Sequence, residues 1–72
     1  MQLQLRDHEQ ADALAAFLRS LGQFPEVVER DVVELTVPDA GPEREAARLE
    51  VEIYLRVWQV LRPDAEVLYL ER

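Results

Sequence analysis

Regular spacing of apolar residues divides the first third of this chain into a strand and a helix. Polar and apolar residues alternate over residues 2–6, which is the period of a half-buried strand. Apolar residues then recur every three or four positions over residues 8–21, which indicates an amphipathic helix. Asp7 and Gln10 have the spacing of a capping box at the start of this helix, and Gly22 suits its end.

Strand-forming residues dominate the next segment and the end of the chain. Residues 33–37 alternate and are rich in β-branched side chains, which predicts a strand. Residues 26–29 either form a hairpin with it, with the chain reversing near Arg30 and Asp31, or continue it as one long bent strand. Residues 66–71 predict a last strand that is apolar on both faces.

The longest periodic segment, residues 42–61, predicts a helix of about 30 Å. Gly41 and Pro42 suit its start, and Pro63 stops it near Leu61. At about 100° per residue, its main apolar stripe consists of Ala46, Leu49, Ile53, Val57 and Val60. The flank of that stripe consists of Ala47, Tyr54, Trp58 and Leu61. Because this arc is wider than one contact needs, we expect it to contact a sheet and, in addition, either the first helix or a second copy of the chain.

The order of the six elements, βαββαβ, predicts a single α+β domain over residues 1–72 with the ferredoxin-like, split βαβ arrangement. Right-handed crossovers would place the first and third strands in the middle of a four-stranded antiparallel sheet, with two helices on one face. The other face would be mixed in polarity, with Gln2, Gln4, Arg6, Val32, Glu34, Thr36 and one side of the last strand.

Charge and composition narrow the classes of partner. Fifteen carboxylates against eight arginines give a net charge of −7, which disfavours nucleic acid and membrane surfaces as partners. The first ten residues lack a signal-peptide pattern, so we expect a cytoplasmic protein. A 72-residue chain without cysteine has neither disulfides nor thiolate-bound metal to stabilise a small core, which favours a homodimer or another protein partner.

Few residues suggest chemistry, and we expect no enzyme activity, no bound metal and no cofactor. The one histidine, His8, lies between Asp7 and Glu9 where the first strand meets the first helix, and a capped helix start explains this group. Glu50 falls within the apolar arc of the long helix, where burial would raise its pKa and make it a ligand for an amine. The hypothetical ligand site consists of Asp7, His8, Glu9 and Glu50.

A second set of residues forms a hypothetical interface. Tyr54 and Trp58 lie one turn apart on the long helix, and aromatic residues at this spacing serve either as core or as interface anchors. Leu68 and Leu70 lie on a last strand that is apolar on both sides, and such an edge can pair with a second copy.

Three families with this layout can be compared at their diagnostic residues. Copper-binding domains carry a cysteine pair where this chain has Asp7 and His8, and RNA-recognition motifs carry aromatic residues where Gln2 and Gln4 lie. In size, topology and acidity the whole chain resembles small-molecule-sensing ACT-type domains, but residues 6–9 lack the glycine or proline of their ligand loop. We therefore expect a non-catalytic, self-associating interaction or regulatory module, with an ACT-like sensor of amino acids or amines as the alternative.

Overall fold

The predicted order of strands and helices is confirmed in a computed structural model that describes residues 1–38 and 41–70. The predicted loop residues Asp39 and Ala40, and the predicted strand residue Glu71, lie outside the described residues. The elements are β1 (Gln2–Leu5), α1 (His8–Ser20), β2 (Pro25–Val28), β3 (Val32–Leu35), α2 (Pro42–Leu61) and β4 (Val67–Leu70).

The four strands form one antiparallel sheet in the order β2-β3-β1-β4, so β1 and β3 are central as predicted. Leu3 lies opposite Val33 on one side and Tyr69 on the other. Backbone hydrogen bonds extend the β1–β3 pairing at both ends, because Leu5 N donates to Asp31 O at 2.7 Å and Leu35 N donates to Met1 O at 2.8 Å. Because β2 and β3 pair antiparallel, the hairpin is confirmed over the single long bent strand for residues 26–37.

Each helix begins and ends where local chemistry allows it. The Asp7 carboxylate accepts a hydrogen bond of 2.8 Å from Gln10 N, which caps α1. At its far end Gly22 takes a φ of +84° and Gln23 N donates to Leu18 O, which is the Schellman arrangement. Gly41 precedes α2 with a φ of +86° and a ψ of −176°, a conformation open only to glycine.

The β2–β3 turn contains a backbone conformation that the sequence does not predict. Glu29 has a φ of +48°, in the left-handed region where a side chain with a Cβ is strained. No glycine or asparagine stands at residues 29–31 to relieve this strain. The hairpin therefore forms because strand pairing and burial on either side outweigh the local preference of Glu29.

Replacing Glu29 with glycine should stabilise the protein by about 0.5 kcal/mol. Removing the Cβ relieves left-handed strain of about 1–2 kcal/mol, and the extra freedom of glycine in the unfolded chain offsets about 0.4–1 kcal/mol of this gain. Chemical denaturation of the Glu29→Gly and Glu29→Ala variants measures the difference, since both remove the same exposed charge. A Glu29→Gly variant less stable than Glu29→Ala by about 0.4–1 kcal/mol would show that the Glu29 backbone is not strained.

Both helices pack on the same face of the sheet, because side chains from β1, β3, α1 and α2 belong to one core cluster. The buried members of this cluster are Leu3, Leu5, Ala11, Leu14, Leu18, Val33, Leu35, Val51, Leu55, Trp58 and Ala65. On the opposite face, Val32 is also buried between its strand neighbours Gln4 and Val28, although a more open position was predicted for it. The core is thus built mainly from the helix-covered face.

Helix α2 contributes only part of its apolar surface to this core. Of the residues described in α2, only Val51, Leu55 and Trp58 are buried, at the i, i+4, i+7 spacing of one helix face. Within residues 1–38 and 41–70, neither helix is apolar over a length that would cross a lipid bilayer. The rest of the apolar surface of α2 therefore needs another explanation.

Candidate interaction surface

The main apolar stripe of α2 lies on the surface of the protein. We call this surface the outer stripe, and it consists of Ala46, Leu49, Ile53, Val57 and Val60. The exposed fractions of the four larger side chains are 59% for Leu49, 59% for Ile53, 48% for Val57 and 79% for Val60. An exposed apolar patch of this kind makes this face of α2 the candidate interaction surface.

The outer stripe faces away from the core of its own domain. At about 100° per residue, its centre lies roughly 170° around the helix from the centre of Val51, Leu55 and Trp58. Helix α2 therefore has two apolar faces. The charged residues Glu52 and Arg56 separate them along one edge of the helix, whereas the half-buried residues Ala47 and Tyr54 connect them along the other edge. No rotation of a straight helix can bury both faces against one sheet, so the stripe is open to a partner.

The predicted interface residues divide between the core and two different surfaces. Trp58 is only 2% exposed and lies in the core, so its assignment to an interface is corrected. Tyr54 is half-buried and packs against the same cluster. Leu68 and Leu70 are 60% and 37% exposed, but strand alternation puts them on the sheet face without helices. These two leucines therefore do not share a surface with the outer stripe.

Glu50 is exposed and has a partner within its own helix. The Tyr54 hydroxyl donates a hydrogen bond of 2.6 Å to Glu50 Oε1, one turn earlier in α2. This bond, followed by smaller effects of burial and of the Glu50 charge, raises the pKa of Tyr54 above its ordinary value of 10.0. The carboxylate within the apolar arc is thus explained by an exposed contact between two neighbouring turns.

Replacing Glu50 with alanine should lower the pKa of Tyr54 towards 10.0, as measured by NMR titration of its ring signals. Because the raised pKa favours the neutral phenol in the folded state, its stabilising effect is present below pH 10 and is lost as pH rises through the folded-state pKa. Tyr69 is the internal control, since its raised pKa is caused first by burial and then by Glu52. An unchanged Tyr54 pKa in Glu50→Ala would contradict the assigned hydrogen bond.

The other residues of the hypothetical ligand site have local roles at the start of α1. Asp7 caps the helix, and Glu9 is an exposed residue of its first turn. His8 Nδ1 lies 2.8 Å from the Arg30 carbonyl oxygen and must donate to it, because a carbonyl only accepts. His8 Nε2 lies 3.3 Å from Asp12 Oδ2. The bond to Arg30 joins the start of α1 to the β2–β3 turn, whereas the contact with Asp12 lies within α1. A ligand role for the group stays a prediction.

Two clefts of similar size lie beside α2, and neither is lined by the hypothetical ligand residues. One of ≈ 300 Å³ lies near the chain start and is lined in part by Met1, Arg44 and Arg48. The other, of ≈ 310 Å³, runs between α2 and β4. Among the described residues, no group of three or more His, Cys, Asp or Glu side chains is arranged to hold a metal ion.

The sequence contains a signal that would have placed Trp58 in the core. Val51, Leu55 and Trp58 form a second apolar line at helical spacing, separate from the main stripe. Two such lines on one helix indicate two packing surfaces, and the line that contains the tryptophan is the one that fills the core.

Comparison with known proteins gives no indication of function, since no protein-family model, curated protein or solved structure matches this chain.

Proposed function

We propose that this protein is a non-catalytic cytoplasmic interaction module that associates with itself through the outer stripe of α2. The observation that carries the proposal is the exposure of Leu49, Ile53, Val57 and Val60 on the side of α2 that faces away from the core. Burying apolar side chains that are this exposed is favourable, whichever surface removes them from water. A second copy of the chain offers such a contact, because it presents the same exposed stripe.

The expected association is reversible and depends on concentration. Burying the exposed half of four such side chains in each of two copies stabilises the complex by about 6–12 kcal/mol. The loss of translational and rotational freedom opposes it by an estimated amount of about 4–15 kcal/mol. Both copies also carry a net charge of −7, so their mutual repulsion weakens the complex until salt screens it.

Sedimentation equilibrium over a range of protein concentrations tests the proposal. The wild type should shift from monomer towards dimer as concentration rises, and higher salt should strengthen the shift. Ile53→Glu should stay monomeric, because it would bury a carboxylate at the centre of the contact. Ala16→Glu, which adds the same charge at an exposed position of α1, should associate like the wild type. A wild type that is monomeric at every concentration would refute the proposal.

A further inference from the structure

We propose that the second copy docks antiparallel, α2 against α2, with the two-fold axis of the dimer passing beside Ile53. This inference rests on the proposed function and specifies the arrangement of the partner. It follows from three properties of α2: the spacing of the outer stripe, its direction relative to the core, and the charges at its edge. Each of these can be read from positions on one helix.

The spacing of the outer stripe is symmetric about its middle. Ala46 and Val60 each lie seven positions from Ile53, and Leu49 and Val57 each lie four positions from it. A two-fold axis at Ile53 therefore brings Leu49 of one copy to the height of Val57 of the other. It also brings Ala46 to the height of Val60, so no apolar position meets a polar one. A two-fold interface requires this kind of self-complementarity.

The direction of the stripe leaves room for the second copy. Val51, Leu55 and Trp58 hold α2 on its own domain from the opposite side of the helix. Two copies that meet through their stripes therefore place both sheets on the outside of the helix pair. In this arrangement neither domain has to open or move its core.

Edge charges favour antiparallel over parallel pairing. About an axis at Ile53, antiparallel helices bring Arg56 of one copy within about 3 Å, along the helix axis, of Glu52 of the other copy, on the same edge of the contact. The two Glu52 residues come equally close there, so two opposite-charge pairs accompany this one like-charge pair. A parallel pair instead brings Glu50 of one copy to the same distance from Glu52 of the other. The parallel pair would also place both acidic first turns, with Glu43 and Glu45, beside each other. Antiparallel helix dipoles add a further favourable contribution.

Cross-linking through introduced cysteines tests the arrangement, since the natural chain has no cysteine. In the antiparallel dimer, position 53 faces itself, whereas positions 49 and 57 lie about 12 Å from their own copies along the axis, and position 60 about 21 Å. A disulfide needs Cα atoms only about 4.4–6.8 Å apart. Ile53→Cys should therefore cross-link on oxidation with oxidised glutathione, while Leu49→Cys, Val57→Cys and Val60→Cys alone should give at least ten times less cross-linked product.

A mixture of Leu49→Cys and Val57→Cys should then give the mixed disulfide, because these two positions share one height in the antiparallel dimer. Ala16→Cys, on the exposed surface of α1, measures the background of random collisions, and reductant should remove every cross-link. Efficient cross-linking of positions 49, 57 and 60 each to itself would overturn the proposal in favour of a parallel pair. A dimer by sedimentation without any cross-link above background would overturn it as well, while the self-association itself would stand.

Discussion

Replacing Trp58 with alanine is expected to lower the free energy of unfolding by about 3–5 kcal/mol at 25 °C. The indole is only 2% exposed and is the largest fully buried side chain of the core. Removing a buried aromatic side chain destabilises a protein by about 3–5 kcal/mol, as apolar contact is lost and a cavity remains. A domain of this size has a total free energy of unfolding of about 4–11 kcal/mol, so the loss takes away about a quarter of it or more.

Far-UV circular dichroism during urea denaturation measures this effect without depending on tryptophan fluorescence. Trp58→Phe is the matched control, because phenylalanine refills most of the volume and should lose clearly less stability than alanine. The Arg62 guanidinium, 6.0 Å from the indole centroid, loses its ring contact only in the alanine variant. A Trp58→Ala variant within 1 kcal/mol of the wild type would mean that the indole lies outside the core.

Glutamate substitutions at Val51 and Ile53 should have opposite outcomes, although the two residues are only two positions apart in α2. Val51 is 2% exposed, so Val51→Glu places a carboxylate in the core without a partner. An uncompensated buried charge destabilises by about 3–5 kcal/mol, so Val51→Glu should unfold at a clearly lower temperature than the wild type or be unfolded throughout. Ile53 is 59% exposed, so Ile53→Glu should keep the fold while preventing association.

Circular dichroism and thermal unfolding of both variants, at a protein concentration where the wild type is monomeric, make the comparison. Both changes replace a β-branched residue with glutamate within the same helix, so helix propensity affects them equally. If Val51→Glu were folded and Ile53→Glu unfolded, α2 would have to pack on the sheet through the face that carries Ile53. That result would remove the basis for the outer stripe.

Much of the fold could be predicted because its boundaries depend on local chemistry. Asp7 and Gly22 enclose α1, and the start of α2 at Pro42 was predicted to the residue from its missing N–H. The hairpin between β2 and β3 could not be decided from the sequence. Its turn depends on the left-handed backbone conformation of Glu29, and glutamate lacks the preference of glycine and asparagine for that conformation.

The orientation of α2 is the part of the candidate surface that the sequence leaves open. The stripe from Ala46 to Val60 can be recognised from its spacing, whereas Tyr54 and Trp58 on its flank fit either the core or an interface. A helix with two apolar faces does not reveal locally which face packs against the sheet. The structure resolves this, because Trp58 and Leu55 fill the space between α1, β1 and the chain after α2.

Periodicity and nearby capping residues predict both helices, the first, third and last strands and the alternating faces of those strands, because each of these depends on residues close together in the chain. Only the folded structure shows that β2 is a separate strand, and only the folded structure sets the rotation of α2 about its own axis and the exposure of Glu50. The rotation and the exposure depend on which side chains the small sheet has room to cover. The sheet covers one side of a twenty-residue helix, and the apolar side chains on its other side remain in water until a second surface covers them.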